Sequence, residues 1–215
     1  KRYPETAELN AAWNAKSADW DAFLSERKFI PATEKGKKDI DDFDAVFHEK
    51  YYKICREELK KVSPDTLYLG SRFAWRNKHA LRAAEKYCDV VSFNLYRDTV
   101  ENFDEIKDKP IIVGEFSFSR SDYGHFWKGP RQVANGKDQA AMFDHYMRGA
   151  LKHPNFVGAC WFTYGDQPTA ARPDGENAAF GVVDICDTPH YDLVRAFRKI
   201  SKKMFDIRFG DTANA

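Results

Sequence analysis

Lys109-Pro110-Ile111-Ile112-Val113-Gly114-Glu115-Phe116 is a short, continuous apolar run that follows a proline and closes on a glycine and a carboxylate. A run of this kind reads as a strand buried on both faces, the type that parallel sheets contain. Three comparable runs accompany it, Leu67 to Gly70, Val90 to Leu95 and Phe156 to Phe162. Helical periodicity fills the intervals. Residues 77–87 read as a helix. A second, from about Lys137 to Lys152, turns Ala140, Phe143, Met147, Ala150 and Leu151 inward, and a third, His190 to Met204, does so with Leu193, Val194, Phe197, Ile200 and Met204. Ahead of the first strand come helical pieces at Ala7 to Trp13 and Ser17 to Arg27, then a polar loop at Thr33 to Lys38. A long helix follows, whose Phe43, Phe47, Tyr51, Ile54, Leu59 and Val62 form an apolar face that must pack on something, and Ser63-Pro64-Asp65 ends it.

Strands and helices in this alternation imply parallel βαβ units. Periodicity leaves two arrangements open, a doubly wound sheet and part of a (β/α)₈ barrel. Four good strands are half of what a barrel of about 250 residues needs. No internal repeat or linker divides the chain, so residues 1–215 are expected to form one structural unit.

Composition narrows the partners. The net charge is +1, with basic residues scattered along the chain, so no footprint for nucleic acid is present. No apolar run approaches the roughly 20 residues of a membrane span. Cys55, Cys88, Cys160 and Cys186 lack ligand spacing, which points to buried free thiols and to neither a metal site nor a disulfide scaffold. The first residue is Lys1 with no methionine before it, and the chain reads as a processed or truncated piece. Aromatic residues make up 15% of it, enough to supply flat apolar faces for sugar rings as well as a core.

In parallel α/β folds the carboxyl ends of the strands face the functional side, which places Glu115 at the mouth. Other strand ends converge on it with Arg72, Asn94, Tyr96, Trp161 and Tyr164. Each alone has a plain explanation as salt-bridge partner, turn former or packing aromatic. Together they resemble the needs of glycoside hydrolysis: an ionised carboxylate near the anomeric carbon, donors that orient it, and an aromatic floor, here Trp161. The loop after Glu115 offers His125 and Trp127, and the loop after the last strand a polar cluster of Asp166, Gln167, Arg172, Asp174, Glu176 and Asn177. Sugar hydroxyls call for such donors and acceptors, although a solvated loop has the same composition.

Four segments carry a family resemblance that covers most of residues 85–205. They are KPIIVGEFSF, GHFWKGPRQVAN, the helix ending in YMRGALKHPNFVG, and CWFTYGDQPTAARPDGENAAFGVVDICDTP. Through them the chain resembles the β-agarase family of clan A glycoside hydrolases, the exo-acting members above all. The resemblance implies the C-terminal half of a (β/α)₈ TIM barrel, strands five to eight with their helices. It implies retaining hydrolysis of β-linked galactose units in agar-type galactans, no cofactor, and a secreted or periplasmic location. Glu115 takes the nucleophile's place. Phe118, His125, Trp127, Trp161, Tyr164, Gln167, Asp174, Glu176 and Asn177 fall in the matching segments as substrate-binding candidates, with Arg72, Asn94 and Tyr96 beside them.

One departure bears on activity. The clan's acid/base is a Glu after an Asn at the end of strand four, and no such pair ends a strand here; Glu176-Asn177 has the reverse order, in a loop. The family pattern places that residue upstream of Lys1. An N-terminal fragment or upstream chain is therefore expected to complete the barrel and to cover edges that a half barrel leaves open. Two other readings stay open: a non-catalytic carbohydrate-binding or scaffold protein derived from the same barrel, and a retaining hydrolase of a different β-glycoside.

Overall fold

The computed structural model describes residues 2–26 and 31–210. Four parallel strands form the main sheet: β1 (Arg72–Phe73), β2 (Val91–Asn94), β3 (Ile111–Phe116) and, after two further short strands, β6 (Phe156–Trp161), in the order β1-β2-β3-β6. The short strands β4 (Ser119–Arg120) and β5 (Gln132–Val133) pair in parallel as a separate ribbon within the loop that follows β3, a feature the sequence pattern did not announce. Helices α4 (Lys78–Tyr87), α5 (Gly136–Lys152) and α6 (Tyr191–Phe209) supply the crossovers and the cover. Ahead of the sheet lie α1 (Thr6–Trp13), α2 (Trp20–Ser25) and α3 (Glu34–Val62).

The apolar runs do what their composition dictates. Val91, Phe93, Ile111 and Val113 are buried in the sheet, and Phe143, Tyr146, Ala150, Leu193 and Ile200 from α5 and α6 close over it. Tyr146 stacks on Phe116 at 4.1 Å and donates its hydroxyl proton to the Leu95 carbonyl at 2.9 Å, so this large polar ring is buried without an unmet donor. Asn135 starts α5 by accepting from the Lys137 and Asp138 amides.

Several boundaries differ from the sequence reading. The first strand lies at 72–73 rather than 67–70, because Gly70 adopts φ +61° and turns the chain out of the extended region before pairing begins. Tyr68 still touches the sheet's edge through paired bonds with Asp89. Residues 34–38, read as loop, belong to α3: the Thr33 side chain accepts from Gly36 N at 3.0 Å, and Lys35–Asp39 and Lys38–Asp42 form pairs at helical spacing. The helix read at 17–27 is the shorter α2, Arg27 lying outside the described residues. Helix α6 continues five residues beyond Met204. Of the cysteines expected to be buried, Cys88 is buried and Cys55 partly so, whereas Cys160 and Cys186 are exposed.

The largest difference concerns the apolar face of α3. Its Phe43 is 64% exposed, Phe47 54% and Val62 88%. The helix instead seats its other side, where Tyr52 is buried and Arg56 binds the Tyr87 carbonyl and Asp89. At the other end of the sheet, β6 has an open edge. A mostly apolar hollow of about 540 Å³ there is lined by Phe143, Met147, Phe197, Met204 and Phe209 among others.

Helix α1 docks on α3 around the buried Asp39, which accepts from Arg2 (2.6 Å), Lys35 (3.1 Å), Trp13 Nε1 (3.0 Å) and the Tyr3 hydroxyl. Burial pushes this carboxyl up, but the donors from Tyr3, Trp13, Arg2 and Lys35 outweigh it and hold it well below the usual carboxylate range. A depressed folded-state pKa contributes stability that is present above the unfolded value of about 4 and is lost as pH falls through the folded value. Acidification below about pH 4 is therefore expected to loosen α1, followed through Trp13 fluorescence, and Asp39→Asn to loosen it at neutral pH and abolish that acid dependence.

Candidate active site

At the end of β3 the buried positions run Ile111, Val113, Phe116, and both neighbouring ladders lose regular register there. Strict alternation would put Glu115 on the face of Ile111 and Val113. The irregularity sends Phe116 against Tyr146 and Glu115 into a cleft on the opposite face.

Three neighbouring side chains hold the carboxylate. Oε1 pairs with Arg72 Nη2 at 2.7 Å; Oε2 accepts from Asn94 Nδ2 at 2.7 Å and from the Tyr96 hydroxyl at 3.0 Å. Arg72 opens β1, Asn94 closes β2 and Tyr96 follows it by two residues, so the order of the parallel strands and the shift of register at Glu115 bring them together. Burial, and then the adjacent Glu115 charge, raise the Tyr96 pKa, which keeps that hydroxyl protonated as a donor. Gly114 makes the Arg72 approach possible: a Cβ there would collide with Arg72 Cδ and lie 2.6 Å from its Cγ. The Asn94 Oδ1 atom is buried and has no partner among the described residues, which leaves an acceptor beside the carboxylate.

The cleft measures about 470 Å³. Besides Asn94, Tyr96 and Glu115, its lining includes Trp75, Trp127, Phe162, Phe180, Arg172 and Glu176. Glu176 faces it paired with Arg172 at 3.1 Å and holding Gln167 Nε2 at 2.8 Å.

The sequence-derived candidates divide into three groups. Glu115, Arg72, Asn94 and Tyr96 meet, and Trp127 and Glu176 share their cleft. A second group stands behind the wall. Asn177 accepts from Trp127 N at 2.7 Å, Gln167 from Ala178 N at 2.7 Å, His125 sits between the Tyr123 and Gln167 carbonyls, and Asp174 pairs with Arg172. The third group points elsewhere. Phe118 is buried between the Tyr146 and Trp161 rings, and Tyr164 is exposed outside the cleft. Trp161, expected as the floor, packs against Phe116, Phe143 and Phe197 and donates to the Phe180 carbonyl at 2.8 Å. Strand alternation explains this: Trp161 faces α5 and α6, and the next residue, Phe162, turns its ring to the cleft. Counting one residue further along β6 would have found Phe162. Trp75 was hidden by the early placement of β1, and Phe180 carries no local signal.

Among the described residues no group of three His, Cys, Asp or Glu is placed to hold a metal ion, and no helix is long and apolar enough to cross a membrane.

Fold and site together define a parallel α/β unit that presents one well-held carboxylate, with aromatic and polar walls, at the carboxyl edge of its sheet. Over 97% of its length the chain is 37% identical to β-agarase B and 35% identical to β-agarase A of Vibrio sp. (strain JT0107). The solved structure of an exo-β-agarase superposes with a TM-score of 0.83 at 34% identity, covering 98% of this chain and 30% of that one. No family model matches. The resemblance to β-agarases carried by the sequence motifs thus extends along nearly the whole chain. The chain spans 22–23% of the length of these curated relatives.

Proposed function

We propose that residues 1–215 form strands five to eight of the catalytic (β/α)₈ barrel of a retaining glycoside hydrolase that cleaves β-linked galactose units in agar-type galactans, with Glu115 as nucleophile. The observation that carries this reading is the Glu115 carboxylate at a strand end, oriented by Arg72, Asn94 and Tyr96. These three donors fix the direction from which it can attack. In the first step a Glu115 oxygen bonds to the anomeric carbon as the glycosidic C–O bond breaks and a second carboxyl group protonates the leaving oxygen. In the next step water, deprotonated by that second group, displaces Glu115 and restores both carboxyls. Phe162, Phe180 and Trp127 supply apolar faces for the sugar, and Asn94 Oδ1, Arg172 and Glu176 supply polar partners for its hydroxyls.

The second carboxyl belongs to an upstream segment or chain. That partner also accounts for the bare face of α3 and for the open edge and hollow at β6, which the first four strands of a barrel and their helices would cover. A polymeric galactan is met outside the cell, which fits secretion or periplasmic residence. The test compares sugar release from agarose by this chain alone and by the chain joined to the upstream segment. Release only by the joined form is the expected result; release by the isolated chain, or by neither, contradicts the proposal.

A further inference from the structure

Between Gln167 and Gly181 the chain forms no regular ladder, yet it carries Arg172, Glu176 and Phe180 into the cleft. Its last residues are held by side chains and by two backbone amides, one of them that of Gln167, which donates to the Ala178 carbonyl at 3.2 Å. The Ala178 amide donates to Gln167, the Ala179 carbonyl accepts from Arg120 N at 2.9 Å, the Phe180 carbonyl accepts from Trp161, and the Gly181 amide donates to Asp166 Oδ1 at 2.6 Å. Asp166 alone among these anchors brings a buried carboxylate. Its second oxygen accepts from His190 Nε2 at 2.8 Å, and His190 Nδ1 faces Arg120 Nη1 at 3.2 Å. A guanidinium can only donate, so Nδ1 accepts and the Nε2 proton points at Asp166. Arg120 is held in turn by both oxygens of Asp122. Burying such a charge is costly unless it is fully paired, and this pairing joins three regions distant in sequence: β4, the loop after β6 and the start of α6.

We propose that Asp166 is a positioning residue for substrate. With His190 and Arg120 it clamps the Phe180 wall of the cleft, so that it governs how tightly the sugar is held and leaves bond breaking to the Glu115 cluster. Gly181 tightens the clamp, since a Cβ there would strike the Asp166 amide and the Val183 carbonyl. This inference rests on the hydrolase reading for its kinetics and on the structure alone for the clamp.

Asp166→Asn changes no volume but leaves one acceptor oxygen facing two donors, the Gly181 amide and His190 Nε2. In the barrel-complete protein the variant is expected to raise KM for agaro-oligosaccharides about tenfold, the scale of one lost buried hydrogen bond, with kcat within about twofold of the parent. His190→Gln, which retains a donor toward Asp166, is expected to keep KM near the parent value, while His190→Phe raises it. Should Asp166→Asn fail to fold, the two His190 variants carry the same comparison. A kcat that falls as far as KM rises, or no change in either, overturns the proposal. Amide exchange separates this from failure of the hydrolase reading. Faster exchange confined to residues 178–183 in Asp166→Asn, or in His190→Phe if the former does not fold, supports the clamp even if the parent never cleaves galactan, whereas exchange in the folded variant that is unchanged or raised throughout overturns it.

Discussion

Glu115→Gln is expected to lower galactan hydrolysis by the barrel-complete protein on the order of 10⁴-fold or more, the scale seen when a covalent nucleophile is removed. The amide matches the carboxylate in shape, so the loss is chemical. It has no charge with which to attack the anomeric carbon, and it sets an NH₂ group against either Arg72 or the Asn94 and Tyr96 donors. Folding should survive, because the side chain is partly open to the cleft at 16% exposure and the core contacts of β3 are made by Ile111, Val113 and Phe116. In Glu115→Gly, which does vacate the path of attack, a small external anion such as azide is expected to restore some turnover with the opposite anomeric outcome. Product anomers followed by NMR distinguish the two routes. A variant that keeps most of its activity would remove Glu115 from the mechanism.

Gly114→Ala is the second large effect, and it acts without touching the carboxylate. The new methyl group would occupy the space of the Arg72 stem and lie 2.9 Å from Ser92 Oγ. Arg72 is the movable member, being 53% exposed on its side chain, so it is the group displaced, and Glu115 Oε1 loses its ionic partner. Overpacking of this kind costs about 1–3 kcal/mol, which corresponds to roughly 5- to 150-fold in rate if it falls on the transition state. The decisive comparison is the double variant. If the glycine acts through Arg72, then Gly114→Ala added to Arg72→Ala should cost little more than Arg72→Ala alone. Additive losses in kcat/KM would mean that Gly114 serves the strand and not the arginine.

How far the sequence could be read depends on the range of the interactions involved. Strand β3 and helix α5 were legible because their apolar spacing is local, and Glu115 because a carboxylate after Ile111-Ile112-Val113-Gly114 has few reasons to be there. Asn94 and Tyr96 are legible from the end of β2, whereas Arg72, expected to follow a strand, opens β1 because the turn at Gly70 delays the pairing. Residues whose roles depend on contacts between distant segments escaped. Phe180 lies in the cleft amid bonds from distant residues, Trp161 to its own carbonyl, Arg120 to Ala179 and Asp166 to Gly181, and Asp166 meets His190 across 24 positions of irregular chain. As an aromatic at a strand end Trp161 is expected in the cleft, and the alternation of β6 turns it against the core instead. For α3 the pattern identified an apolar face correctly but carried no information about what covers it. Phe43 and Phe47 remain bare among the described residues, and a partner segment, not this chain, is the proposed cover.

The most direct test of the central claim is covalent trapping. An activated 2-deoxy-2-fluoro-β-galactoside, or the matching agaro-oligosaccharide, slows both steps by destabilising the oxocarbenium-like transition state, while its good leaving group keeps formation of the intermediate ahead of hydrolysis. After incubation with the barrel-complete protein and proteolysis, mass spectrometry should find one glycosyl unit on the peptide containing Ile111 to Phe116, attached at Glu115. A glycosyl adduct on another residue, or galactan turnover with no covalent species and inverted product, would contradict it.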